Sequence, residues 1–193
     1  MKIVPIFAPQ LYSIEYSKDE SLVWNKSNKK YFSIEEYGNL DELARLFDLW
    51  NNPLYLSNFF NDNYKDLRYF GNVSVELAVQ KTIETAAKFE QRLNKASKKN
   101  IGKHFMPLNV YDTKLINLSG SKTKCSWLRL YAIKIDSNRF LITGGAIKLT
   151  ETMLERDHTK DELTKLSKVR DFLKESGVYD SDSFNDLIFE LSI

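Results

Sequence analysis

The alternation of apolar and polar positions is clearest between residues 127 and 153. This stretch, WLRLYAIKIDSNRFLITGGAIKLTETM, predicts two strands that meet at a polar turn at Asp136-Ser-Asn138. The turn lacks the Asn-Gly pair typical of a two-residue hairpin, so a slightly longer loop is predicted. A shorter alternation from Leu11 to Tyr16 predicts an early strand. Arg129 is unusual because it has the every-second-residue spacing of Trp127, Tyr131, Ile133 and Ile135. This spacing places it on the same face of the strand as these apolar residues.

Apolar residues at helical spacing predict a group of helices before these strands. Asn39-Leu-Asp-Glu42 has the spacing of a capping box and predicts the start of a helix that ends near Pro53. A second helical segment, with a break near Asn61-Asp-Asn63, ends at Gly71-Asn72. A long helix from Ser74 to about Ser97 follows, with an apolar stripe that includes Leu77, Ile83, Ala86, Ala87 and Leu93.

One further helix is predicted after the strands. Thr159-Lys-Asp-Glu162 has the spacing of a second capping box, and Gly177 fits the position just past the helix end. The order of elements predicts an α+β fold, an antiparallel sheet with flanking helices. A length of 193 residues predicts a single domain, with a strand and helices in residues 1–99 and a sheet and closing helix in residues 100–193.

The charge is strongly segregated along the chain. From Arg92 to Lys148 there are twelve basic residues and two acidic ones, 12 − 2 = +10, although the whole chain carries only +2. This distribution favours a polyanion as the partner of that region. The alternative is a group of solvated lysines that cluster by chance.

Composition narrows the classes of function. Cys125 is the only cysteine and there are two histidines, so neither an intramolecular disulfide nor a metal site or cofactor is predicted. The apolar N-terminus, MKIVPIFAP, is too short for a signal-peptide core, and no run has the length of a membrane span. We therefore expect a cytoplasmic protein without membrane contact.

The candidate chemistry is positive charge beside turns and aromatic rings. The phosphate-loop, dinucleotide-binding, zinc-protease and nucleophile-elbow motifs are absent from the sequence. RNA cleavage needs none of them, because the 2′-hydroxyl is an internal nucleophile and cations can stabilise the transition state. Lys122, Lys124, Arg129 and Lys148, with Tyr131 or Trp127 to hold a base, supply these groups. Alternatively, Arg129 pairs with an acid or extends past its aromatic neighbours to solvent, and Lys148 is solvated.

The same stretch, followed by HTKDELTKLSKVRDFLK, resembles the RelE/HigB group of the RelE/ParE toxin superfamily over about residues 100–176. In that group an arginine strand precedes a second strand that ends in glycine and lysine, and a final helix follows. Arg129 matches the strand arginine, and Lys148 the lysine, although Lys148-Leu149 replaces the usual basic pair. The resemblance implies a RelE-like core with an N-terminal helical extension.

The function implied by the resemblance is that of a type II toxin. Such a protein cleaves mRNA on the ribosome without a metal and is inhibited by a cognate antitoxin, for example a small helix-turn-helix protein. Arg129 and Lys148 would be catalytic, assisted by Tyr131 or His158. The predicted RNA-binding residues are Lys122, Lys124, Lys103 and Lys134.

Two other classes remain open at this point. One is a non-catalytic RNA- or protein-binding module of phage or mobile-element origin. The other is a structural protein whose sheet edge accepts a peptide.

Overall fold

The computed structural model describes residues 1–20, 40–96, 101–109, 112–119 and 127–191. Its strands are β1 (Lys2–Phe7), β2 (Leu11–Glu15), β3 (Met106–Asn109), β4 (Asp112–Ser119), β5 (Leu128–Asp136) and β6 (Arg139–Ile147). Its helices are α1 (Glu42–Asn51), α2 (Pro53–Asp62), α3 (Tyr64–Tyr69), α4 (Val75–Ala96), α5 (Asp157–Glu175) and α6 (Ser181–Glu190). A single 3₁₀ turn, Ile101–His104, precedes β3.

The described strands form one sheet in the order β1-β2-β6-β5-β4-β3. The predicted α+β class is confirmed. Neighbouring strands are antiparallel, as predicted, except that β2 runs parallel to β6 over Leu11–Ser13 and Phe140–Ile142. A parallel neighbour is permitted here because β2 and β6 are far apart in sequence and no tight turn joins them.

The β5–β6 hairpin differs from its prediction. Its loop has two residues, Ser137 and Asn138, where a longer one was expected. The register shifts between Lys134 and Asp136, and the backbone N–H of Asn138 donates to the Asp136 carboxylate at 2.8 Å. The irregularity before the turn and this side-chain hydrogen bond accommodate a tight turn without an Asn-Gly pair.

Each face of the sheet is covered by a different group of helices. Leu128, Leu130 and Ala132 of β5 face α1 to α4 and share a hydrophobic cluster with them. Tyr131 and Ile133 face the opposite way and pack with α5 and α6. Because successive strand residues point to opposite faces, the nearly continuous apolar run in β5 reflects burial on both sides.

Helix starts were predicted less well than helix ends. The side chain of Asp41 caps α1 by accepting from the N–H groups of Leu43 and Ala44, at 2.9 and 3.3 Å. The predicted cap, Asn39, lies outside the described residues. The predicted Thr159 cap is wrong, because α5 starts at Asp157 and the Thr159 hydroxyl donates to the carbonyls of Met153 and Arg156, which precede the helix.

The helix breaks agree with the sequence. Asn52 and Pro53 separate α1 from α2, and Asn63 separates α2 from α3. Gly71, Asn72 and Gly177 have positive φ angles just after helix ends, where such residues are favoured.

The long helix α4 is present, but part of its predicted apolar stripe is wrong. Ala86 and Leu93 are buried, whereas Leu77 and Ala87 are exposed. Phe89 and Ala78 are buried in the core on the same helix. No helix in the described part of the chain combines the length and the apolar character that crossing a membrane requires.

Candidate nucleic-acid pocket

Arg129 lies near the start of β5, at the end of the sheet away from the β5–β6 turn. Its Cα partners are Ser119 on β4 and Ala146 on β6. The side chain is partly buried, and one guanidinium nitrogen donates to the Leu128 carbonyl at 2.8 Å. Burial lowers the pKa of Arg129 below its ordinary value, which still leaves the guanidinium charged.

Lys148 directly follows β6 at the same end of the sheet. Its backbone N–H donates to the Trp127 carbonyl at 2.8 Å and so extends the β5–β6 pairing by one residue. Its ammonium donates to the carbonyl of Thr150 at 2.7 Å and to that of Glu151. An ammonium has three donors, so one N–H remains after these two hydrogen bonds.

The two cations influence each other. Burial lowers the pKa of Lys148, and the nearby charge of Arg129 lowers it further, against the opposing charges of Glu155 and Glu151. Two like charges held this close favour a ligand that carries negative charge.

Both cations line one open pocket of about 370 Å³, which we call the Arg129 pocket. Its lining consists of Tyr69, Phe70, Arg129, Lys148, Leu149, Thr150 and Glu151. The tertiary structure therefore brings together two residues that are 19 positions apart in sequence.

Tyr69 is a part of this pocket that the sequence reading missed. It is the last residue of α3, and its side chain is 83% exposed. An exposed aromatic ring beside two cations can stack on a nucleobase while the cations contact phosphate. The available signal was its neighbourhood, since the segment YKDLRY has a basic residue next to each of its two tyrosines.

Two of the predicted RNA-binding lysines lie elsewhere. Lys134 is exposed on β5, five residues from Arg129 and therefore about 17 Å away along the strand. Lys103 is exposed in the 3₁₀ turn, where the neighbouring Gly102 N–H donates to the Asn138 side chain at the hairpin turn. Both lysines thus lie toward the opposite end of β5 from the Arg129 pocket.

Lys122 and Lys124 lie outside the described residues. The described residues that flank them are Ser119, the Cα partner of Arg129, and Trp127.

Tyr131 does not fit its predicted role. Its side chain is fully buried, and its hydroxyl has no hydrogen-bond partner. Burial raises the pKa of Tyr131, and the charge of Glu162 adds to this effect. A nucleotide cannot reach the ring in this structure, and the same is true of Trp127, whose indole N–H donates to Thr82 at 2.9 Å in the core.

His158 makes contacts that stabilise the fold. Its Nε2 donates to the Ile147 carbonyl at 3.0 Å, and its ring packs edge-on against Phe59. Burial lowers the pKa of His158, which favours the neutral ring. His158 is not among the residues that line the Arg129 pocket, and its contacts join the start of α5 to the end of β6.

A buried ionic network lies at the edge of β6, beyond the point where β2 stops pairing with it. Arg45 donates to both carboxylate oxygens of Glu42, at 2.7 and 2.8 Å. Lys165 bridges Glu42 at 2.8 Å and Glu162 at 2.7 Å, and all four side chains are buried. The network therefore joins α1 on one face of the sheet to α5 on the other. We call it the α1–α5 clamp.

Gly144 and Gly145 make room for the packing on either side of β6. A Cβ on Gly144 would lie 2.0 Å from the Glu162 carboxylate, and one on Gly145 would lie 2.5 Å from the Arg129 carbonyl. A side chain at either position would collide with groups that cannot move away cheaply. The glycine pair is thus explained by close approach on both faces of the strand.

The comparisons with known proteins give no neighbour from which to infer a function. No family model, no curated protein and no solved structure matches this chain. The resemblance to RelE/HigB toxins stays a prediction that rests on the quoted residues.

Proposed function

We propose that this protein binds single-stranded RNA through the Arg129 pocket. The observation that carries the proposal is the convergence of Arg129, Lys148 and the exposed ring of Tyr69 on one open surface. The volume, about 370 Å³, falls within the usual range of small-ligand pockets and suits a single nucleotide. The choice of RNA follows from the resemblance to toxins that act on mRNA.

The division of roles follows from the contacts. Arg129, partly buried and held by the Leu128 carbonyl, would contact a phosphate from a fixed position. Lys148, held by two loop carbonyls, would direct its remaining N–H to the same phosphate or the next. Tyr69 would stack on a base, which requires the base to be unpaired.

Metal-independent cleavage of mRNA, as in a ribosome-associated toxin, is the second candidate. Two observations favour it: the lowered pKa of Lys148, which makes its ammonium a better proton donor, and the presence of Glu151 in the same pocket. Glu151 would take the proton of the 2′-hydroxyl while its oxygen attacks phosphorus. Lys148 would protonate the departing 5′-oxygen, and the products would be a 2′,3′-cyclic phosphate and a 5′-hydroxyl. Arg129 would stabilise the phosphorane charge.

The binding test uses a fluorescein-labelled single-stranded RNA and fluorescence anisotropy over a series of salt concentrations. We expect Arg129→Ala and Lys148→Ala each to weaken binding about tenfold and to lower the slope of log affinity against log salt by about 0.7, the value for one lost phosphate contact. Lys134→Ala removes an exposed lysine from the same strand and is the matched control. Equal effects of all three variants, with circular dichroism unchanged, would contradict the proposal.

A gel assay distinguishes RNA binding from RNA cleavage. RNA incubated with the protein in EDTA, with and without ribosomes, is separated on a denaturing gel. Fragments that form with the wild type and disappear with Arg129→Ala plus Lys148→Ala support the endoribonuclease. Intact RNA with salt-sensitive binding supports the binding module.

A further inference from the structure

The short helix α3 exposes several cationic and aromatic side chains. Of its six residues, Tyr64, Lys65, Arg68 and Tyr69 are exposed, and Leu67 is buried in the core. Asp66 is its only acid, and the guanidinium of Arg156 holds that carboxylate through two hydrogen bonds of 2.6 and 2.5 Å. The helix thus presents two cations and two aromatic rings, while its one negative charge is neutralised.

A second open pocket lies at the other end of α3. It has a volume of about 410 Å³, and we call it the Arg156 pocket; it is lined by Asn61, Asp62, Asn63, Tyr64, Lys65, Asp66 and Arg156. Its side chains are almost entirely polar and comprise two acids, two cations, two amides and one tyrosine, which suits a hydrated ligand.

The two pockets lie at opposite ends of α3 and share no lining residue. The Arg129 pocket is formed by the end of α3 and by residues 149–151, and the Arg156 pocket by the start of α3 and Arg156. Tyr64 and Tyr69 are separated by about 7.5 Å along the helix axis and by about 140° around it, so a strand that contacts both rings crosses the helix obliquely. The Arg156–Asp66 ion pair holds the chain after β6 against α3 and so fixes both pockets relative to each other.

We propose that α3 is a second RNA contact, along which the strand continues from the Arg129 pocket to the Arg156 pocket. Lys65 and Arg68 would contact phosphates, and Tyr64 would stack on a base. This inference rests on the proposed function, since the strand is taken to enter at Arg129. Aromatic rings interleaved with cations favour a nucleic acid over an acidic peptide, because a peptide has no bases to stack.

The test compares a short oligonucleotide with a long one on the full-length protein. Oligoadenylates of three and twelve nucleotides are measured by anisotropy with the double variant Lys65→Ala/Arg68→Ala and with Tyr64→Ala. We expect the double variant to weaken binding of the dodecamer at least tenfold and to lower its salt slope by about 1.4, two contacts at 0.7 each. Tyr64→Ala weakens dodecamer binding about tenfold without changing the slope. Trinucleotide binding, which needs only the Arg129 pocket, stays within twofold.

The matched control is Arg92→Ala/Lys95→Ala, which removes two exposed cations at the same helical spacing from α4. If the α3 variants lower dodecamer affinity no more than this control while Arg129→Ala still does, the second contact is wrong and the proposed function stands. If Arg129→Ala also has no effect, the proposed function fails. If polyglutamate displaces the dodecamer as well as unlabelled RNA does, and Tyr64→Ala binds normally, the surface is a general polyanion site and the inference is overturned.

Discussion

Glu162 lies in the buried α1–α5 clamp, where its surroundings disfavour its charge. It is buried, one of its carboxylate oxygens contacts Lys165 at 2.7 Å, and the other has no hydrogen-bond partner. Burial raises the pKa of Glu162 to about 7; Lys165 opposes this shift and the charge of Glu42 adds to it. At pH 7 the folded protein therefore holds about half a proton here, whereas an unfolded chain has released nearly all of it.

Glu42 in the same clamp behaves in the opposite way. Burial disfavours its charge, but Arg45 and Lys165 outweigh burial and lower the pKa of Glu42 to about 2. Both nearest cations are directed at Glu42, whereas Glu162 shares one of them. One carboxyl is thus ionised throughout the physiological range, and the other titrates within it.

The pH dependence of stability is predicted to reveal this difference. Between pH 4.5, the ordinary value for a glutamate, and about 7, the folded state binds more protons at Glu162 than the unfolded state does. The free energy of unfolding therefore falls as pH rises through that window, by about 3 kcal/mol for this group. Glu162→Gln removes this titration. We therefore expect the free energy of unfolding of the wild type, minus that of the variant, to fall by this amount from pH 4.5 to 7, as measured by urea unfolding.

Glu155→Gln is the matched control, because Glu155 is exposed and hydrogen bonds from Thr152 lower its pKa, so it titrates below this window. A difference between wild type and Glu162→Gln that stays constant from pH 4.5 to 7 would show that Glu162 is ionised in the folded protein.

At the scale of elements, one residue organises the junction between α1 and α2. The Asn52 side chain accepts from the N–H groups of Leu54 and Tyr55, both at 3.0 Å, while its backbone N–H donates to the Leu49 carbonyl at 3.2 Å. Pro53 then occupies the first position of α2, where a missing N–H costs nothing. The junction sets the direction of α2, which leads into α3 and its exposed surface.

We expect Asn52→Ala to lower the free energy of unfolding by about 1 kcal/mol, since the start of α2 loses its side-chain cap. Asn51→Ala is the control: Asn51 is exposed, and its side chain donates only to the Phe47 carbonyl within its own helix. Its effect should stay below about 0.5 kcal/mol. Equal losses in the two variants, measured by thermal and urea unfolding, would mean that the cap is not what stabilises the junction.

At the scale of the whole molecule, the two parts distinguished by the sequence share one core. The strands β1 and β2 extend the sheet beside β6, and α1 to α4 cover one face of β5 and β6. The α1–α5 clamp adds an ionic connection between the parts, with Lys165 fully buried at its centre. Both parts contribute residues to each of the two hydrophobic clusters.

A chain cut to residues 100–193 is therefore predicted not to fold. Leu128, Leu130 and Ala132 would lose the helices that cover them, and the two leucines alone account for about 3–6 kcal/mol, comparable with the usual net stability of a domain. We expect the full chain to unfold in one cooperative transition and the fragment to give none, by circular dichroism and near-ultraviolet spectra. A fragment with a cooperative transition of its own would show that residues 100–193 are an independent domain.

How far the sequence predicts this protein depends on the range of the interaction. The β5 and β6 strands, the break at Asn52-Pro53 and the end of α5 at Gly177 follow from residues within a few positions of each other. Helix starts were harder, because several polar residues near α1 and α5 could cap a helix and only packing selects one. The stripe on α4 was misassigned at Leu77 and Ala87 because the partners of α4 decide which of its faces is buried.

The Arg129 pocket was also predicted only in part, because its residues come together through long-range contacts. Arg129 and Lys148 were predicted from strand position and charge, but their convergence needed the β5–β6 pairing and the path of the chain after β6. Tyr69 was missed because it joins them from a helix 60 residues earlier. Tyr131 was assigned because it lies near Arg129 in sequence, and His158 was assigned from the family resemblance. Burial accounts for Tyr131, and a backbone hydrogen bond accounts for His158.

The sequence by itself determined most of the helices and strands, the α+β class and the segregation of charge, because these depend on local periodicity and on composition. Only the tertiary structure decided which charged residues face solvent and which are buried. Glu42 and Glu162 have the spacing of surface ion pairs with Arg45 and Lys165, yet all four lie in the interior. The physical reason is that the burial of a charged side chain depends on elements that are distant in sequence and pack around it. The residues next to it in the chain do not specify which elements these are.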